Sequence, residues 1–169
     1  MVRAWVLVGM MGVGKSAVGR QLANAANRDF VDADQLLQQR FGQTISKFFA
    51  VYGEEAFRQH ETALLRSLAP GPYVLSTGGG VVLREENWQE IERLGPSIYL
   101  KAEAKTLIDR LATGVRRRPL LSGPDWQEKV ASLLEDRERL YRRADFTIDV
   151  DQMSLSEVTL TLLSLLNRS

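Results

Sequence analysis

The sequence predicts a three-layer α/β/α protein, a parallel sheet with helices on both faces. Three observations predict it. Short apolar runs rich in β-branched and aromatic residues alternate with longer stretches of helical period. A glycine loop joins the first of these runs directly to a helix, and no repeat, low-complexity tract or linker interrupts the alternation. At 169 residues the chain has the length of one ordinary domain, so a single unit over 1–169 is expected. A domain of that size buries roughly 70% of its unfolded surface and folds without staples.

The strands are expected at 4–8, 30–31, 73–76, 98–100 and 146–150, each short, apolar and bounded by turn or helix signals. A first helix is expected over 15–26, directly after the glycines. A second follows Asp34, with Leu36, Leu37 and Phe41 on one face. Residues 44–69 read as two helices broken near Gly53, turning Ile45, Phe48, Phe49, Phe57, Leu64, Leu65 and Leu68 toward a core. Later helices fit 85–94, 104–112, 125–143 and 154–167, with Asp125 and Ser154 as N-caps. Residues 113–124, TGVRRRPLLSGP, combine glycine, proline and three successive arginines with no apolar face, so a mobile loop is expected there.

Composition narrows the function classes. Cysteine is absent, which excludes disulfides and thiolate metal sites and permits a reduced compartment, so the cytoplasm is the expected location. The N-terminus enters the first strand almost at once, leaving no room for a leader. No apolar run reaches the roughly 20 residues that span a bilayer. With 22 basic and 21 acidic side chains, nothing calls for nucleic acid or an anionic membrane as partner. A monomer acting on small molecules is expected.

Residues 9–16, GMMGVGKS, match G-x-x-x-x-G-K-[ST] between a strand and a helix, where a phosphate-binding loop belongs. Backbone N–H groups from Gly12 through Ala17 would cradle phosphate oxygens at the helix N-terminus. Lys15 would reach the outer phosphates, and the Ser16 hydroxyl would ligate Mg²⁺. Ala17 stands where many such loops carry a second hydroxyl, so only its N–H can serve.

Asp32 and Asp34 close the second strand as D-A-D. In an extended segment residues two apart face the same way, toward the crevice beyond the strand ends. Asp32 would hold the metal and Asp34 the proton of an attacking hydroxyl; solvated turn or N-cap residues are the plainer reading. Arg58 lies three positions before Glu61, so the two can pair on a helix, as a clamp for a carboxylate or simply as an ion pair. His60 reads as a surface residue. Residues 77–80, TGGG, follow the third strand as the phosphate loop follows the first, and their N–H groups invite close approach of a ligand. Thr77 could touch the metal's water shell. Residues 116–121, RRRPLL, would form a cationic lid that shuts out water, or a solvated charge run.

Taken in order, GMMGVGKS, VDAD, GEEAFRQHE, STGGGVVLR, RPLL and RERLY resemble the shikimate kinase family over nearly the whole chain. The resemblance implies a nucleoside-monophosphate-kinase-like P-loop fold with strand order 2-3-1-4-5, a substrate-binding region at about 32–61 and a lid at about 113–124. It implies transfer of phosphate from ATP to the 3-hydroxyl of shikimate with Mg²⁺, a step of aromatic amino-acid biosynthesis. Carried over by motif, Asp34, Arg58, Gly79, Gly80 and Arg137 would bind shikimate. Gly12, Val13, Gly14, Lys15, Ser16, Ala17, Arg110 and Arg118 would bind ATP, with Arg110 packing on the adenine. Ser16 and Asp32 would serve the metal, and Lys15, Asp34 and Arg118 the catalysis. Arg116 and Arg117 have no counterpart. Two further readings stay open: a related small-molecule kinase for gluconate or a nucleoside monophosphate, and a nucleotide-binding homologue without catalysis.

Overall fold

The computed structural model describes residues 2–114, 121 and 123–167. Five strands, β1 (Trp5–Val8), β2 (Asp29–Asp32), β3 (Tyr73–Ser76), β4 (Ser97–Lys101) and β5 (Phe146–Asp149), form a parallel sheet in the order β2-β3-β1-β4-β5. The seven helices are α1 (Lys15–Ala25), α2 (Ala33–Phe41), α3 (Ile45–Ser67), α4 (Glu85–Leu94), α5 (Ala104–Ala112), α6 (Trp126–Tyr141) and α7 (Leu155–Leu166), with a short 3₁₀ turn at Val81–Leu83. All four residues of β1 are buried, which for a strand of period 2 means that both faces of the sheet are covered. Trp88, Tyr99 and Tyr141 are the largest fully buried side chains of the core. No described helix is long and apolar enough to cross a membrane.

The expected elements are present, with ends displaced by one or two residues, as fraying and short strands allow. Sequence predicts a break near Gly53, and α3 carries one there, with Gly53 at φ 80° and ψ 176°. Ser154 caps α7 in a reciprocal box with Glu157, each side chain reaching the other's backbone N–H. Asp125 occupies the N-cap position of α6 without capping it, because its carboxylate turns instead toward Lys129 Nζ at 3.4 Å. His60 is exposed as expected, with its ring edge-on to Phe41 and Phe48 at 5.1 and 5.4 Å.

Register is what positions the site. Leu7 and Asp32 both pair with Ser76, so β1, β2 and β3 end at one level. The loop after β1, the start of α2 and the glycines after β3 therefore meet at a single edge, where open α/β sheets bind ligands.

Candidate active site

Two cavities open at that edge. The first, of about 300 Å³, is lined by the loop after β1, together with Asp32, Asp34, Thr77, Gly79, Arg110 and Leu111. Gly14 offers no side chain to cap α1, so first-turn N–H groups of that helix, those of Ser16 and Ala17 among them, are left for an anion. Gly12 must be glycine on two counts. Its φ is +84°, and a Cβ there would stand 2.9 Å from Leu111 Cγ. Lys15, largely buried, donates from Nζ to the carbonyls of Gly9 and Met10 at 2.6 and 3.0 Å, which holds the ammonium against the loop. Arg110 leaves α5 to donate to the Val13 carbonyl at 2.6 Å, so its guanidinium forms part of the cavity rim.

Asp32 does two things at once. Its Oδ1 accepts from the N–H groups of Asp34 and Gln35 at 3.0 and 3.2 Å, capping α2, while Oδ2 accepts from Ser16 Oγ at 3.0 Å. The two side chains expected at a metal thus already touch. Asp34 reaches the site differently from the extended D-x-D pattern expected from sequence. It lies in the first turn of α2, and the helix rather than strand alternation aims it. Thr77 donates to the Leu7 carbonyl at 2.7 Å and so ties β3 to β1.

The second cavity, of about 540 Å³, is lined by Arg58, Glu61, Arg137 and the three glycines 78–80, with Phe49 and Phe57 among its apolar walls. Arg58, Glu61 and Arg137 are only 6%, 2% and 3% exposed. Arg58 donates to Glu61 Oε1 at 2.9 Å and to Glu54 Oε1 at 3.3 Å, a fork held by residues three above and four below it on α3. Arg58 Nε and Arg137 Nη1 nevertheless have no acceptor among the described residues, and Glu61 Oε2 has no donor. Buried donors are normally satisfied, and both of these guanidinium groups line the same cavity, so the cavity suits an anionic ligand. Burial pushes the Glu61 carboxyl above its ordinary value; Arg58 pulls it back down, Asp34 adds to the rise, and Arg137 opposes it.

The glycines after β3 make this packing possible. A Cβ on Gly80 would collide with the Arg58 guanidinium, and one on Gly78 would stand 2.8 Å from Glu61 Oε2. Met11, Asp34 and Gly79 line both cavities and form the wall between them. Of the residues singled out from sequence, Gly12, Gly14, Lys15, Ser16, Ala17, Asp32 and Arg110 come together around the first cavity. Arg58, Gly80 and Arg137 gather around the second, and Asp34 and Gly79 belong to both. Val13 is buried beneath the loop, offering its carbonyl to Arg110. Arg116, Arg117 and Arg118 lie outside the described residues. Sequence reading gave no role to Tyr141, whose hydroxyl donates to the Gly79 carbonyl at 2.5 Å, although it closes the RERLY motif four residues after Arg137.

A parallel sheet in this order, with a phosphate loop between its central strand and α1 and a second cavity across a shared wall, defines a P-loop kinase. Comparison with known proteins narrows the class. The family model described as shikimate kinase matches residues 11–167, and the chain belongs to the shikimate kinase family. It is 46% identical over 156 residues to a shikimate kinase of Symbiobacterium thermophilum, covering 90% of each chain. Its fold matches that of a shikimate kinase from Acinetobacter baumannii in complex with shikimate, with a TM-score of 0.93 at 33% identity, covering 99% of this chain and 94% of that one. A gluconokinase from Sinorhizobium meliloti shares the fold alone, with a TM-score of 0.54 at 18% identity, covering 98% of this chain and 92% of that one.

Proposed function

We propose that the chain moves the γ-phosphoryl group of ATP onto the 3-hydroxyl of shikimate, giving ADP and shikimate 3-phosphate. The observation that carries this reading is the pair of buried guanidinium groups, each with an unfilled donor, in a cavity that shares Asp34 with the phosphate loop. Arg58 and Arg137 bind the shikimate carboxylate. The Glu61 carboxylate keeps the Arg58 fork in one orientation. Asp34, at the wall between the cavities, accepts a hydrogen bond from the attacking hydroxyl and takes its proton as the new O–P bond forms. The bond from the γ-phosphorus to the bridging oxygen breaks in the same in-line displacement, and the charge passes to ADP, held by Lys15 and the N–H groups at the start of α1.

Mg²⁺ suits the donors present. Ser16 Oγ and Asp32 Oδ2 are hard oxygens 3.0 Å apart. Among the described residues no cluster of three or more carboxylates or imidazoles could hold a metal alone. An ion that keeps most of its ligands as water and phosphate oxygen fits such a site, with Ser16 binding it and Asp32 holding its water shell. When bound, it supplies positive charge to the departing phosphates.

Arg118, in the lid region 113–124, adds a cation over the transferring group by its place in RPLL. Arg110 packs on the adenine. Action as a single-domain monomer belongs to the same reading. Measuring ADP release with shikimate, gluconate and nucleoside monophosphates tests the assignment. A rate with shikimate no higher than the blank removes it as acceptor.

A further inference from the structure

Tyr141 ends α6 with a fully buried side chain that the phosphoryl-transfer reading leaves without a task. Its Oη donates to the Gly79 carbonyl at 2.5 Å and lies 3.7 Å from the Met10 sulfur. It follows Arg137 by four residues, so phenol and guanidinium leave the helix on one face. The ring stacks on Tyr99, with centroids 5.1 Å apart and planes at 18°, and Tyr99 donates in turn to Glu138 Oε2 at 2.5 Å. The Tyr99 ring therefore backs that of Tyr141 through the stacking itself, a contact its hydroxyl does not make. Burial pushes the Tyr141 phenol up to about 12, against the pull of the Arg137 guanidinium alongside, so it remains a donor across the physiological range.

What it holds is the middle carbonyl of a glycine turn whose flanking carbonyls, those of Gly78 and Gly80, accept from the N–H groups of Val81 and Leu83 at 3.2 and 3.1 Å. Between Thr77 and Val81 there are only glycines, whose peptide units turn easily because no Cβ resists. A trans peptide is planar, with its C=O and N–H pointing opposite ways. Fixing the Gly79 carbonyl on Tyr141 therefore also fixes the Gly80 N–H, on the side away from the phenol. The same hydrogen bond sets the spacing between the glycines and Arg137, because Tyr141 and Arg137 share α6. Gly80 in turn lies so close to Arg58 that any shift of the loop moves the seat of that guanidinium.

We infer that Tyr141 is a positioning residue for the acceptor: its hydrogen bond to Gly79 locks the glycine loop against the Arg58 and Arg137 guanidinium groups. The inference rests on the reading of this cavity as the seat of an acidic acceptor. Tyr141→Phe keeps the ring and its stacking and deletes the hydroxyl, which donates to Gly79 and also meets the Arg137 guanidinium, so loop exchange is read beside the kinetics. Tyr99→Phe, which removes the neighbouring hydroxyl of the same stack, serves as the control. Two measurements are made on each variant, backbone amide hydrogen exchange in the absence of ligand and steady-state kinetics.

In Tyr141→Phe, exchange at the amides of Val81 and Leu83, which donate to the Gly78 and Gly80 carbonyls, is expected to quicken about tenfold, as loss of one buried hydrogen bond allows. The KM for shikimate is expected to rise about fivefold to tenfold, with kcat and the KM for ATP within about twofold of the parent. Tyr99→Phe is expected to change neither reading. Unchanged exchange at Val81 and Leu83 in Tyr141→Phe overturns the inference. So does an equal rise in KM for both substrates, or the same effects in Tyr99→Phe, since either means general loosening rather than positioning. If the parent protein does not phosphorylate shikimate, the acceptor assignment falls, and the exchange result still decides whether Tyr141 holds the loop.

Discussion

Replacing Arg58 by alanine is expected to damage stability and substrate binding for separate reasons, which a second substitution can pull apart. Glu61 is almost wholly buried, and Arg58 is its one direct ion-pair partner among the described residues. Removing one member of a buried pair costs about 3–5 kcal/mol, because the other charge is left uncompensated. For a chain of this length each kcal/mol moves the melting temperature by about 2–4 °C, so Arg58→Ala is expected to lose about 6–20 °C at pH 8. The loss is linked to pH. Burial raises the folded-state value of Glu61 above its ordinary one, so the folded protein binds that proton more tightly than the unfolded chain. The resulting stabilisation is complete below the unfolded value, roughly pH 4, and is lost as pH rises through the folded one. Without Arg58 the strongest downward pull is gone, the folded value climbs further, and each unit of climb adds about 1.4 kcal/mol to the loss at high pH. Adding Glu61→Gln removes the titrating group. The double variant is therefore expected to melt close to Arg58→Ala at pH 5 and well above it at pH 8. Shikimate binding, weakened by about 2–5 kcal/mol in Arg58→Ala, is not expected to recover in the double variant. Thermal melts across that range, with calorimetric titration of shikimate, provide both readings. Parallel melting curves of the two variants from pH 5 to pH 8 would show that Glu61 is not a buried charge held by Arg58, and the reasoning would fail.

Asp34→Asn is expected to lower kcat by roughly 10² to 10⁴ while ATP affinity holds, and near-normal turnover removes this carboxylate from the chemistry. Gly80→Ala forces a methyl group into the Arg58 guanidinium, so it is expected to raise the KM for shikimate well above that of the parent with little change in the KM for ATP; equal affinity for shikimate would show that the fork relocates freely. Ser154→Ala breaks the box that starts α7 at a residue lining neither cavity, and is expected to cost about 1 kcal/mol of stability with no kinetic effect. Chemical denaturation and an activity assay check both halves of that statement.

Much of the fold is legible in the sequence because local signals and tertiary packing agree. β3 and α4 carry their boundaries in plain apolar runs and helical periods, and Gly53 announces the break inside α3. The phosphate loop is legible because its glycines and lysine serve a single mechanism at fixed spacing. Asp34 is legible as a residue but not in its geometry. The strand stops at Asp32, which turns the chain into a helix by capping it, and strand alternation no longer governs the next side chain. The 3₁₀ turn at Val81–Leu83 escapes notice because three apolar residues after glycines suit a buried turn as well as an extended one. Tyr141 escapes for a deeper reason. Its partner is a backbone carbonyl 62 residues away, and no side-chain pattern records a contact with the main chain.

The wall formed by Met11, Asp34 and Gly79 has a stereochemical consequence. On the proposed reading, the seats of donor and acceptor adjoin at these three shared residues. A γ-phosphorus made chiral with oxygen isotopes is then expected to leave with inverted configuration after one direct displacement, whereas retention would mean that the Asp34 carboxylate carries the group in between.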